Sequence, residues 1–239
     1  MEIKFHGQSC FEISDGSTTV LTDPFLKPNN PVAVATADEV EATVIAISHG
    51  HADHVADAVA VAKRTSAHCI GIVELANWLD SQGIDDDKLS DPNVGGTVEF
   101  DGGWLKLVPA WHTNTIPGSE DAPFSAEHGI SIGTACGMLI NVGGKTVYHA
   151  GDTCLFGDMK LIAERNPVDI ALLPIGGHYT MDREDAVVAA EFIGAETVIP
   201  MHYNTFPPIE TDAEAFRSDV ESKTSSKVVV LEPGESHST

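Results

Sequence analysis

Four potential metal ligands fall within six residues, in the run His49-Gly50-His51-Ala52-Asp53-His54. Alternate residues of an extended segment face one way, so His49 and His51 can meet a single ion. Asp53 and His54, where the chain turns into a helix, can point towards a second. Imidazole nitrogen and carboxylate oxygen together suit Zn²⁺, Mn²⁺ or Fe²⁺. A lone His-x-His recurs by chance, whereas the full His-x-His-x-Asp-His pattern is far more specific. Three more candidates follow apolar runs: His112 after Leu105-Lys106-Leu107-Val108, Asp152 after Val147-Tyr148-His149-Ala150-Gly151, and His202 after Val198-Ile199-Pro200. Ligands delivered from several strand ends make an open catalytic site, while a structural zinc uses closely spaced pairs. Histidines merely satisfied in a polar core are the weaker explanation.

The surrounding pattern predicts the elements that position these residues. The β-branched run at 44–48 reads as a buried strand, and Val55, Ala58, Val59 and Ala62 recur at helical spacing after it. Strands are predicted at 2–5, 10–13 and 18–21, with Asp15-Gly16 as a turn. Two further hairpins join 97–100 to 104–108 through Asp101-Gly102-Gly103, and 138–142 to 145–149 through Gly143-Gly144. A helix over 158–165 stops before Pro167, a strand covers 168–173, and a helix starting near Asp182 closes at Gly194. A strand at 197–200, a helix at 212–221 and a strand at 228–231 complete the pattern. Each half reads as strands followed by alternating helix and strand, which implies an α+β protein of two similar αβ halves packed sheet to sheet. The chain is expected to form a single domain, 1–239. Residues 113–134 have weak periodicity and are a candidate lid or wall of the site.

Composition narrows the partners. Hydrophobic residues make up 42% of the 239, enough for a sizeable core. No apolar run reaches the length of about 18 needed to span a membrane. The N-terminal residues lack a signal-peptide layout, so cytoplasmic residence is the expectation. The four cysteines lie far apart without a CxxC pair and are expected to be mostly buried, unpaired residues. Thirteen Lys and Arg against 36 Asp and Glu leave a net charge of −23. Such a surface repels phosphate polyanions and anionic bilayers, so a small-molecule substrate is expected, with no nucleic acid and no membrane partner. Strand edges leave a homo-oligomer open.

The sequence resembles the metallo-β-lactamase superfamily through His49-Gly50-His51-Ala52-Asp53-His54, His112, Gly151-Asp152-Thr153 and His202. It is more similar still to that superfamily's branch of metal-dependent hydrolases, to which ascorbate-6-phosphate lactonases are distantly related. The branch-like motifs run from Tyr148 to Thr153, from Leu173 to Met181 and from Pro200 to Pro207. The resemblance covers nearly the whole chain and implies a four-layer αββα sandwich with metals at one edge of the two sheets. It implies that His49, His51 and His112 hold one metal, that Asp53, His54 and His202 hold the other, and that Asp152 bridges them. Two positions depart from or vary within the branch. Gly7-Gln8-Ser9 stands where Gly-His-Ser is usual, and the segment Gly176-Gly177-His178 is variable.

From this ligand set a hydrolytic mechanism is expected. Two divalent ions, Zn²⁺ first with Mn²⁺, Fe²⁺ or Ni²⁺ compatible, would lower the pKa of a bridging water towards about 7. The resulting hydroxide would attack an ester, lactone or phosphoester. Asp53 is the expected proton acceptor, with Asp152 sharing the role and His178 or His128 stabilising the oxyanion. A serine nucleophile is not expected. Asp23, in Thr22-Asp23-Pro24, could accept a ring N–H from a ligand histidine, or could simply shape a turn. His149 is expected to be buried, His68 and His237 to be structural or terminal, and His6 or Gln8 to approach the substrate. Tyr203 and Asn204 either line the pocket or shape the turn. The competing readings are a phosphodiesterase or nuclease, disfavoured by the charge, a redox site needing a separate flavin partner, and a non-catalytic metal-binding scaffold.

Overall fold

The computed structural model describes residues 1–116 and 129–239. The first half is a seven-stranded sheet whose antiparallel members are β1 (Glu2–Gly7), β2 (Cys10–Ser14) and β3 (Thr19–Thr22). It continues in parallel through β4 (Val44–Ala46), β5 (His68–Ile70) and β6 (Leu89–Ser90). Short helices α1 (Ala52–Val55) and α2 (Ala58–Thr65) connect β4 to β5, and α3 (Val73–Ser81) connects β5 to β6.

The second half repeats the plan. Strands β7 (Thr97–Phe100), β8 (Gly103–Pro109), β11 (Cys136–Val142) and β12 (Lys145–His149) are antiparallel neighbours, and β13 (Ile170–Pro174), β14 (Thr197–Met201) and β15 (Lys227–Val228) follow in parallel. The parallel crossovers contain helices α4 (Met159–Arg165), α5 (Arg183–Ile193) and α6 (Ala213–Lys223). A two-stranded pair, β9 (Thr115–Ile116) with β10 (Ile130–Ser131), stands apart, and β16 (Ser236–Ser238) returns to the edge of the first sheet beside β1. This is the α+β sandwich of two similar halves expected from the pattern.

Local chemistry accounts for the element ends. Asp182 Oδ1 accepts the Asp185 N–H at 2.9 Å, and Asp212 Oδ1 accepts that of Ala215 at 2.9 Å, capping α5 and α6. The acidic first turn of α5, Glu184 and Asp185, faces the positive end of the helix dipole. Asn166, directly before Pro167, leaves the helical region and ends α4. Strands β4 and β13 are buried at every position, as parallel strands covered on both faces must be. One contiguous apolar cluster runs across both sheets, including Ile3, Ile45, Leu107, Ile140 and Leu172.

Three details differ from the sequence pattern. The helix after the ligand run breaks at Ala56 and Asp57, and Val61 rather than Val59 joins Ala58 and Ala62 in the core. Residues 229–231 leave the sheet after β15. Strands β5, β6 and β16 are too short to show a period and were not expected, nor was helix α3, although Ile72, Leu75, Ala76 and Leu79 recur at helical spacing and are buried. Among the described residues, no helix is long and apolar enough to cross a membrane. Cys10, Cys69 and Cys136 are buried and Cys154 is exposed, all unpaired.

Candidate metal centre

Sheet direction brings the chemistry together. Strands β8 and β12 each run antiparallel to β11, while β12, β13 and β14 are parallel, so all four point the same way. His112, Asp152 and His202 therefore leave the second sheet at one edge. The His49–His54 run leaves the first sheet after β4, with His51 preceding α1 and Asp53 and His54 in its first turn. Two glycines make the approach possible. A Cβ on Gly50 would sit 2.7 Å from the Thr115 carbonyl oxygen, and Gly151, at φ +61°, would place one 2.6 Å from that of Cys136.

All seven sequence-predicted ligands meet here. His49 Nε2 lies 3.0 Å from His51 Nδ1, which lies 3.3 Å from His112 Nε2. Asp53 Oδ2 is 3.6 Å from His54 Nε2 and 3.5 Å from His202 Nε2. Asp152 stands between the two groups. Its Oδ1 is 3.5 Å from His54 Nε2, and its Oδ2 is 3.1 Å from His202 Nε2, 3.6 Å from His112 Nε2 and 3.9 Å from His49 Nε2. The donor atoms form three overlapping trios, each within 4.8 Å: His49, His51 and His112; His49, His54 and Asp152; Asp53, His54 and His202. His54 Nε2 and Asp152 Oδ1 are buried with no hydrogen-bond partner, an expensive arrangement for a protein alone. Divalent cations among these atoms would satisfy them, so the donor set fits metal.

A buried carboxylate orients two of the ligands. Asp23, at the end of β3, accepts the Ser48 N–H on Oδ1 at 2.7 Å, and Ser48 Oγ–H on Oδ2 at 2.7 Å. His54 Nδ1 is 2.8 Å from the same Oδ2, and His49 Nδ1 is 3.0 Å from Ser48 Oγ. Both imidazoles thus place their Nδ1 protons on this chain and turn Nε2 towards the cluster, the arrangement that orients metal-binding histidines. The sequence pointed to Asp23 as such an acceptor; the relay through Ser48 carried no signal in it. Gln8 is a second missed contact, its side chain donating from Nε2 to Asp53 Oδ2 at 2.8 Å while its backbone carbonyl accepts the His202 N–H at 2.8 Å.

The electrostatics divide the imidazoles. Burial, reinforced by neighbouring imidazoles, lowers the pKa of His49, His51 and His112, keeping them neutral. Burial opposes charge on His202 as well, but Asp152 and Asp53 together outweigh it and push the group up to about 9. For His54 the same opposition is overcome by Asp152, Asp53 and Asp23, and its pKa stands well above the usual value. Burial would raise Asp152 and Asp53, yet His202 and His54 hold Asp152 well below the carboxylate range, and His54 and His202 hold Asp53 below it.

His51, Asp53, His112, Asp152 and His202 form the floor of a cavity of about 680 Å³, walled by Phe25, Asn29, Thr113, Tyr179 and Phe206. His178 is not brought into the cluster. It is exposed on the turn after β13, its ring packing edge-on to that of Tyr179 at 4.4 Å. His128 lies outside the described residues, as does 117–128 of the expected lid, whose described flanks are tied by the β9–β10 pair. His6 is buried 3.3 Å from Glu12, away from the cavity. Tyr203 and Asn204 border a separate recess, and Asn204 Oδ1 accepts the Thr211 N–H at 2.8 Å, so this pair shapes its turn. His149 is buried against the Ser9 carbonyl, and His68 bonds Ser90 Oγ. Gly129-Ile130-Ser131-Ile132-Gly133 has Gly-x-Ser-x-Gly spacing, which the sequence reading passed over. Ser131 lies exposed in β10 and leads into β11 with no helix after it, so it is not the strand-to-helix elbow that presents a serine nucleophile.

Comparison with known proteins gives a consistent result. A family profile described as "Beta-lactamase superfamily domain" matches residues 2–202. A "UPF0173 metal-dependent hydrolase" from Pelotomaculum thermopropionicum is 45% identical over 236 residues, covering 99% of each chain. One from Methanopyrus kandleri is 44% identical over 238 residues, again covering 99% of both. The solved structure of Igni18, described as a metallo hydrolase from Ignicoccus hospitalis, superposes with a TM-score of 0.84 at 36% identity, covering 99% of this chain and 97% of that one.

Proposed function

The chain belongs to the β-lactamase superfamily, among its UPF0173 metal-dependent hydrolases, and from that premise we propose that the seven-residue cluster is a dinuclear hydrolytic centre. Its substrate is a small-molecule ester, lactone or phosphoester. The observation that carries this reading is Asp152, whose two oxygens face imidazoles of both groups while Oδ1 has no hydrogen-bond partner of its own. His49, His51 and His112 would hold one ion, Asp53, His54 and His202 the other, with Asp152 between them. Zn²⁺ suits the nitrogen-rich donor set first, and Mn²⁺, Fe²⁺ and Ni²⁺ are compatible with it.

When bound, a divalent pair would supply Lewis acidity and lower the pKa of water at the site towards about 7. The chain's own residues do the rest. Asp23 keeps the protons of His49 and His54 on Nδ1. Gln8 anchors Asp53 through Oδ2, and Asp53, which lines the cavity, is placed to take the proton given up as the nucleophile attacks. The walls orient the substrate and limit water around it. A cavity of this size suits a small molecule. With the net charge of −23, it disfavours the nuclease alternative, which would have to neutralise several phosphates.

The test is elemental analysis of freshly purified protein, followed by a panel of ester, lactone and phosphodiester substrates on the same metal-defined sample. About two metals per chain with turnover of one class is the expected result. No bound metal after reconstitution would overturn the reading and leave a scaffold that has lost its chemistry.

A further inference from the structure

The walls of the cavity are more selective than its floor. Phe25 comes from the loop after β3, Tyr179 from the turn after β13, and Phe206 from the segment after β14. Phe25 and Phe206 lie together, ring centroids 6.4 Å apart, and Phe25 is buried although it borders the cavity. The other described wall residues, Asn29, Thr113 and Ala52, are uncharged. Among the described residues lining the cavity there is no lysine or arginine. Residues 117–128 cannot add one, because the chain contains no lysine or arginine between Lys106 and Lys145. That same span contains Glu120, Asp121 and Glu127.

Phosphate recognition draws on fixed cations and on bidentate arginine forks, and recognition of a substrate carboxylate draws on the same groups. This cavity offers neither beyond the metal floor. It offers aromatic surface, whose contribution is burial of an apolar group and stacking with another ring. Resting on the hydrolase reading above, we propose that the site takes an uncharged carboxylic ester or lactone bearing an aromatic or similarly bulky apolar group, seated against Phe25, Phe206 and Tyr179. The lack of a counter-charge on the walls disfavours phosphoesters and substrates with a second anionic group, whose extra charge only the metal floor could meet.

Three esters with one chromophore test this on the metal-loaded full chain. They are 4-nitrophenyl phenylacetate, its analogue with a carboxylate on the acyl ring, and bis(4-nitrophenyl) phosphate. The neutral phenylacetate is expected to have the highest kcat/KM, at least about 10-fold above its carboxylate analogue, the scale of one well-buried apolar contact. Phe206→Ala should raise KM for the phenylacetate by roughly 10-fold with wild-type metal content, and Phe206→Leu should recover part of the loss. Titration calorimetry with phenylacetamide gives a second readout, with affinity falling in Phe206→Ala. Equal or faster turnover of the carboxylate ester, or a higher kcat/KM for the phosphodiester, overturns this inference and leaves the hydrolase intact. Unchanged phenylacetamide binding in Phe206→Ala overturns it as well. No turnover of any of the three with both metals bound, while phenylacetamide still binds through Phe206, overturns the ester chemistry proposed here and leaves only the aromatic seat.

Discussion

Replacing Asp23 with asparagine keeps the shape of the side chain and removes one acceptor. In the native protein Oδ1 takes the Ser48 N–H, while Oδ2 takes Ser48 Oγ–H at 2.7 Å and His54 Nδ1–H at 2.8 Å. In the variant the carbonyl stays on the Ser48 N–H, so the new NH₂ points at His54 Nδ1. That nitrogen must then accept, and the imidazole proton moves to Nε2, the atom 3.5 Å from Asp152 and 3.6 Å from Asp53. A protonated Nε2 has no lone pair for an ion. Recovering the ligating tautomer sacrifices a hydrogen bond to a charged group, about 1.5–3 kcal/mol. At about 1.4 kcal/mol per tenfold, binding at the Asp53–His54–His202 site should weaken roughly 10- to 150-fold. That range agrees with the effect, about 10- to 100-fold, of removing partners that orient metal ligands elsewhere. Competition with a chromophoric chelator measures the affinity, and long-range ¹⁵N–¹H correlation of the histidines reads the tautomer. An unchanged competition curve with His54 still protonated on Nδ1 would refute the reasoning.

Three further predictions concern the same centre. Asp152→Ala should lose bound metal and all hydrolysis, because its carboxylate faces imidazoles of both groups; elemental analysis at wild-type levels would contradict its assignment. Loading metal at pH 7.5 should release a proton from His202, whose pKa stands at about 9, and add to it any carried by His54, whose pKa Asp152, Asp53 and Asp23 raise, since a ligating imidazole must be neutral. The neutral His51 and His112 release none, and the share from His202 should fade as pH rises through about 9; equal titration enthalpies in buffers of different ionisation enthalpy would refute this. His178→Ala should alter substrate preference through Tyr179 while leaving the metals bound, and a fall in metal content would make it a ligand instead.

Much of the site was legible because its chemistry is local. His49, His51, Asp53 and His54 sit close enough in the chain that their types and spacing already imply ions. The apolar runs before His112, Asp152 and His202 mark strand ends, and the caps of α5 are written in residues that act within one turn, the Asp182 carboxylate and the left-handed Gly194. Short elements such as β5, with three residues, offer no period to read, and α3 lacks a side-chain cap to mark its start.

What the sequence determined by itself is therefore the ligand inventory, the repeated αβ plan and the acidic surface that argues against polyanionic partners. Only the tertiary structure decided which imidazoles each oxygen of Asp152 faces and that Ser48 relays His49 to Asp23. It also showed that Gln8 holds Asp53 and that His178 stays outside. The aromatic wall belongs to the same class, since Phe25, Tyr179 and Phe206 come from three loops more than 25 residues apart in the chain. Such contacts depend on which strand ends share an edge and how closely two sheets approach. Those are properties of the packed chain, set by burial of residues far from the site, and no local spacing records them.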